Sequence, residues 1–189
     1  MLLSEVYIEN YRSIEKLTLK LNKCSIIVGK NNSGKSNILK AIDLVLGEKY
    51  IKITKNDFFN RDENRKIKIQ LTFTHFTPEE IDNIQNNIKY GVRDSNGFIP
   101  VEELKNYLRN KNRISMEVIS TLNQTSRNIY IAGIYYKYFS NELKDSIVGT
   151  LYIPAVREPG NILKVTEYSF LNKLLSTMYK QADSTQKKA

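Results

Sequence analysis

Val28-Gly29-Lys30-Asn31-Asn32-Ser33-Gly34-Lys35-Ser36-Asn37 (VGKNNSGKSN, residues 28–37) decides how this chain is read. Gly29 to Ser36 satisfies G-x-x-x-x-G-K-[ST] at every fixed position. The spacing has a physical basis. A tight loop between a strand and a helix turns successive backbone N–H groups inward and makes an anion nest at a helix N-terminus. Glycine permits the backbone angles and the close approach that a side chain would block. Lys35 would reach the β- and γ-phosphates of a nucleotide, and the Ser36 hydroxyl would ligate Mg²⁺.

The flanks supply the context such a loop needs. Upstream, the short apolar run Ser25-Ile26-Ile27-Val28 predicts a strand covered on both faces. Downstream, Ile38, Leu39, Ile42, Val45 and Leu46 recur at helical spacing, with Gly47 as a stop. Over residues 3–9, Val6 and Ile8 alternate with Glu5, Tyr7 and Glu9; Asn10 to Ile14 reads as a turn; Leu17, Leu19 and Leu21 alternate again. Two paired strands are expected there.

Further along, Ile67, Ile69, Leu71 and Phe73 predict another strand. Thr77-Pro78-Glu79-Glu80 combines an N-cap, a proline at the first helical position and a capping-box glutamate, and Ile81, Ile84 and Ile88 give that helix one apolar face. A polar loop from Gly91 to Gly97 precedes a helix marked by Val101, Leu104 and Leu108. Ile114, Met116 and Val118 form a strand, residues 123–126 a turn and residues 129–138 a further strand, so a hairpin is expected. Residues 149–156 read as one more strand, and Phe170, Leu171, Leu174, Leu175 and Met178 as a final amphipathic helix before the polar tail KQADSTQKKA.

Composition narrows the class. Apolar content of 41% and charged content of 26% in 189 residues fit one globular domain with a real core. The apolar runs are a few residues long, too short to span a bilayer, and MLLSEVYIENYRS carries no expected secretory signal. A single cysteine, Cys24, allows no intrachain disulfide, which fits a reducing cytoplasm; with one histidine besides, an ordinary zinc site is excluded. The net charge of +9 and pI near 9.4 suit a polyanionic partner, or reflect a lysine-rich composition without a dense basic run.

GKNNSGKSN, preceded by IENYRSIEKLTLKLNKCSIIV, resembles the N-terminal end of the RecF/SMC-like branch of ABC-type ATPases, and within it the OLD-family ATP-dependent endonucleases. The matching residues are Ile8, Asn10, Tyr11, Arg12 and Ser13, then Gly29, Asn31, Asn32, Ser33, Gly34, Lys35, Ser36 and Asn37. LYIPAVRE, residues 151–158, is similar to a second strand of OLD-like ATPase domains. The resemblance implies an α/β fold: an ABC-type P-loop ATPase N-terminal lobe, with a mixed sheet, antiparallel N-terminal strands and flanking helices. It implies that Arg12 lies near the nucleotide or a dimer face. Arg157 is a second nucleotide-proximal candidate, or simply the end of a strand. Gln70 is a candidate for the glutamine that contacts Mg²⁺ and water, although its place in an alternating strand favours a structural role. The aromatic set Tyr130, Tyr135, Tyr136, Tyr138 and Phe139 reads more readily as hairpin packing than as a base-stacking platform.

ATP hydrolysis in this class needs more than the cradle. No four apolar residues are followed by Asp-Glu, no serine-glycine signature precedes a helix, and no Asp-x-Asp of a Toprim nuclease occurs. No catalytic residue is therefore assigned within the chain, and the Walker B acid is expected downstream. The expectation is the N-terminal portion of an ABC-type ATPase domain over residues 1–175, with a helical insertion at 77–112. Residues 176–189 would be a helix end and polar tail that begin a linker or insertion. ATP and Mg²⁺ are the expected cofactors. A head-to-tail homodimer or higher oligomer and DNA are the expected partners, with no membrane. Two rivals remain: a nucleotide-dependent regulatory or dimerisation module that recruits a separate nuclease, and a small P-loop kinase or GTPase. The guanine-reading N-K-x-D of the last is missing, since Asn22-Lys23-Cys24-Ser25 and Asn110-Lys111-Asn112-Arg113 lack the aspartate.

Overall fold

Alternation of apolar and polar residues builds one sheet with two unlike faces. The computed structural model describes residues 1–31, 33–47 and 52–148, which fall within one compact unit, Met1–Thr150. β1 (Leu2–Tyr11) and β2 (Ile14–Lys20) pair antiparallel, with Val6 opposite Leu19 and Ile8 opposite Leu17. β3 (Ile67–Thr74) lies on the other side of β1, followed by β6 (Arg113–Ser120), β7 (Thr125–Ile131) and β8 (Ile134–Tyr136). The order is β2-β1-β3-β6-β7-β8, and every pairing is antiparallel.

Register puts Val6, Ile8, Ile69, Leu71, Met116, Val118 and Ile129 on a common face, all of them buried. Helix α1 (Lys35–Leu46) packs on this face through Ile38, Ala41, Leu44 and Val45. The opposite face carries Tyr7, Lys68, Gln70, Thr72, Ser115, Glu117 and Tyr130. Glu117 is 2% exposed there, yet it is fully engaged. It accepts from Asn128 Nδ2 at 3.1 Å and Tyr130 Oη at 3.0 Å and pairs with Lys68 Nζ at 2.9 Å. Burial and the hydrogen bond to Glu117 hold the Tyr130 hydroxyl up to about 12.

Between β3 and β6 lies a helix–hairpin–helix excursion: α2 (Pro78–Asn86), β4 (Val92–Asp94), β5 (Gly97–Ile99) and α3 (Val101–Lys111). Its two ends are tied together. Asn112, in the left-handed region at φ 46°, accepts from Phe76 N–H at 2.7 Å and donates to Phe76 O at 3.0 Å. α4 (Asn141–Ile147) starts at the Ser140 cap, whose hydroxyl accepts from Leu143 N–H at 3.1 Å.

The α/β class, the antiparallel N-terminal strands and the flanking helices are as expected, with four departures in detail. Ser25 to Val28 is not in the sheet, so the expected mixed sheet is antiparallel throughout among the described residues; the run is unpaired, and Ile26 and Val28 are each 83% exposed. A covered strand needs neighbours to take its N–H and C=O groups, and among the described residues no strand lies beside this run. The polar loop at 91–97 contains the β4–β5 hairpin. The strand expected over 129–138 is two strands, because Ala132 (φ 54°) and Gly133 (φ 91°) reverse the chain in a tight turn. Helix α4 is an addition to the elements that the sequence predicts. The expected strand at 149–156, the LYIPAVRE match with Arg157, the final helix and the tail lie outside the described residues, as does Asn32.

Candidate nucleotide-binding site

The loop at 29–34 closes directly onto α1. Gly34 is the N-cap at φ 89°, a left-handed conformation that only glycine adopts without strain, and its carbonyl takes Asn37 N–H at 2.9 Å to begin the helix. No acidic residue occupies the first turn, so the positive end of the helix is left uncompensated. At Gly29 a Cβ would stand 2.8 Å from Ser33 Oγ, so that hydroxyl would have to move. Lys35 folds back across the loop. Its Nζ donates to Gly29 O at 2.7 Å and Lys30 O at 2.6 Å and meets Ser33 Oγ at 3.4 Å. All three ammonium protons therefore cross-link the loop, and a phosphate would take them over from those oxygens. Ser36 is exposed one residue into the helix. Asn31 and Ser33 are exposed on the loop, and Asn37 is half-buried.

Arg12 stands in the turn between β1 and β2. Its Nη2 and Nε reach Asp57 Oδ1 at 2.9 and 3.0 Å, and its guanidinium lies 5.4 Å from the Tyr11 ring centre. The neighbouring Ser13 accepts from Asn37 Nδ2 at 2.8 Å, so this turn touches the start of α1. Gln70 is placed elsewhere. It lies on the polar face of β3 opposite Tyr7 and Glu117, and among the described residues no hydrogen bond joins it to the loop.

Sequence reasoning missed Thr54 and Asp57, and gave Ser13 no role beyond its match to the family pattern. Asp57 caps a short 3₁₀ turn, Lys55–Asp57, by accepting from Thr54 N–H at 3.0 Å and Thr54 Oγ1 at 2.8 Å. The signal was present in Thr54-Lys55-Asn56-Asp57, a capping-box spacing outside any helical pattern. Burial pushes the Asp57 carboxyl up, but the Thr54 hydrogen bonds and Arg12 outweigh it and hold the group below its ordinary value.

A phosphate loop capped by left-handed glycine at the head of a helix, with its lysine in place, defines a P-loop nucleotide-binding protein. A family model, described as an AAA ATPase domain, matches residues 1–188, and the chain belongs to that family. Among its relatives, the OLD nuclease of Thermus scotoductus is 38% identical over 81 residues, 41% of this chain and 15% of that protein. Endonuclease GajA of Bacillus cereus VD045 is 35% identical over 74 residues, 38% of this chain and 13% of that one. The DNA replication and repair protein RecF of Clostridioides difficile is 26% identical over 154 residues, 75% of this chain and 41% of RecF. The chain therefore spans less than half the length of these relatives. A solved structure of the recombination mediator RecF with ATP superposes with a TM-score of 0.41 at 16% identity, covering 77% of this chain and 30% of RecF. The resemblance to OLD and RecF proteins read from IENYRS and GKNNSGKSN is borne out by these relatives.

Proposed function

We propose that residues 29–37 bind ATP with Mg²⁺, and that the chain is the N-terminal part of an OLD/RecF-like ATPase. In the complete protein, ATP would be hydrolysed in a head-to-tail dimer and coupled to DNA binding or cleavage, in DNA repair or defence against phage. The observation that supports the nucleotide reading is the geometry of the loop. A Cβ at Gly29 or Gly34 would come within 2.8 Å of a serine hydroxyl, and among the described residues the Lys35 ammonium is held by oxygens of the loop. Gly34 and Lys35 at the helix start would supply N–H donors to the phosphates, and the exposed Ser36 hydroxyl is available to a metal. Bound Mg²⁺ would neutralise charge on the β- and γ-phosphate oxygens. The net charge of +9 and the nuclease and repair relatives support the DNA reading.

Calorimetric titration with ATP–Mg²⁺ tests the site. Lys35→Ala removes two charge-assisted contacts and should weaken binding by about 100-fold or more. Unchanged affinity would overturn the assignment.

A further inference from the structure

Arg12 sits at φ 53°, a left-handed conformation that is strained for a non-glycine residue. The turn at 11–14 is therefore not self-maintaining; surrounding contacts must hold it. Those contacts come from residues 54–65. Arg12 N–H donates to Asp57 O at 2.8 Å, beside the two side-chain contacts on Asp57 Oδ1. Tyr11 forms an isolated bridge with Phe58, and Asn10 Nδ2 donates to Arg65 O at 2.7 Å and Asp62 O at 3.3 Å. Asp57 itself is 8% exposed, and its second oxygen is taken by Thr54 N–H and Oγ1. The carboxylate cannot swing without breaking four contacts.

The other side of the same turn meets the phosphate loop. Ser13 Oγ accepts from Asn37 Nδ2 and lies 2.8 Å from the point a Cβ on Gly34 would occupy. Arg12 spends Nε and one Nη2 proton on Asp57.

We infer that Asp57 is a positioning residue for the nucleotide site: acting through Arg12, it holds the 11–14 turn against the first turn of α1 and so fixes how the phosphate nest is presented. The inference rests on the nucleotide reading above. Thr54 belongs to the same device, because it fixes the carboxylate that fixes Arg12.

Titration of the whole chain with a fluorescent ATP analogue separates the possibilities. Asp57→Asn should weaken binding about tenfold, and Arg12→Ala by a similar factor. The double variant should be no weaker than the poorer single one, because Asp57 acts through Arg12. Losses that multiply would instead mean that Asp57 does not act through Arg12. That result, or wild-type affinity in Asp57→Asn, would overturn the inference. Lys35→Ala is measured alongside. If it loses binding while Asp57→Asn does not, the positioning role alone falls; if the wild-type chain binds no nucleotide, the nucleotide reading falls and takes this inference with it. Circular dichroism establishes that each variant is folded. Should Asp57→Asn fail to fold, Thr54→Val, which keeps the ion pair and loosens only its support, should weaken binding about threefold, and wild-type affinity there would count against the inference equally.

Discussion

Gly34 shows how one residue serves two constraints. Its φ of 89° turns the loop into the helix, and its missing Cβ admits Ser13 Oγ. Gly34→Ala should therefore lose roughly 1–2 kcal/mol to backbone strain alone, with more from displaced Ser13, measured as a lower thermal midpoint. A smaller loss than at an ordinary exposed glycine would contradict the geometry. The glycine was legible in the sequence because the motif demands it. Ser13 as its neighbour was not, because nothing local in residues 10–14 says which helix the turn will meet. Arg12 illustrates the same limit. The resemblance points to the nucleotide or a dimer face, while its ion pair with Asp57 spans 45 residues and only the fold creates it.

At the scale of elements, local chemistry was the reliable guide. The Thr77–Glu80 capping box forms as the sequence prescribes: Thr77 N–H donates to Glu80 Oε2 at 2.8 Å, and Glu80 N–H donates to Thr77 Oγ1 at 3.3 Å. Thr77→Ala should cost about 1 kcal/mol, read from the denaturant midpoint at unchanged slope. No change would mean that α2 is held by Ile81 and Ile84 in the core and not by its cap. Elements were misread where one signal masked another. The apolar continuity of residues 129–138 hid the Ala132-Gly133 reversal, and the polarity of residues 91–97 hid a hairpin that buries only Val92 and Ile99. Helix α4 rests on one cap and a short Leu143–Ile147 stripe, too few turns for periodicity to declare itself.

For the whole molecule, two carboxylates in capping positions off the sheet, Asp57 in the 3₁₀ turn and Glu80 in the first turn of α2, set the response to acid. Asp57 and Glu80 are both held below their ordinary values: in each, burial opposes the shift, while hydrogen bonds from Thr54 and Arg12, or from the N-terminal amine and Thr77, prevail. A depressed carboxyl stabilises the fold fully above its unfolded value, near pH 4, and loses that contribution as pH falls through the folded one. The thermal midpoint should hold steady from pH 7 to 5 and fall below pH 4, with a shallower fall in Asp57→Asn. An equally steep fall would remove Asp57 from the account. Between pH 7 and 9 no compensating loss is expected from Tyr7 or Tyr130, whose hydroxyls are lifted to about 12 by hydrogen bonds to Glu9 and Glu117 and by burial, hydrogen bonding leading for Tyr7 and burial for Tyr130.

The sequence by itself determined the phosphate loop, the helix that follows it, the alternating strands and the capped start of α2, because each depends on residues within one or two turns of one another. Only the tertiary structure decided that residues 54–65 brace the turn carrying Arg12, that Gln70 faces Glu117 on the polar side of the sheet, and that Ser25 to Val28 remains unpaired among the described residues. Each of these depends on which distant backbone lies alongside, and an apolar run or a lone arginine carries no record of its partner.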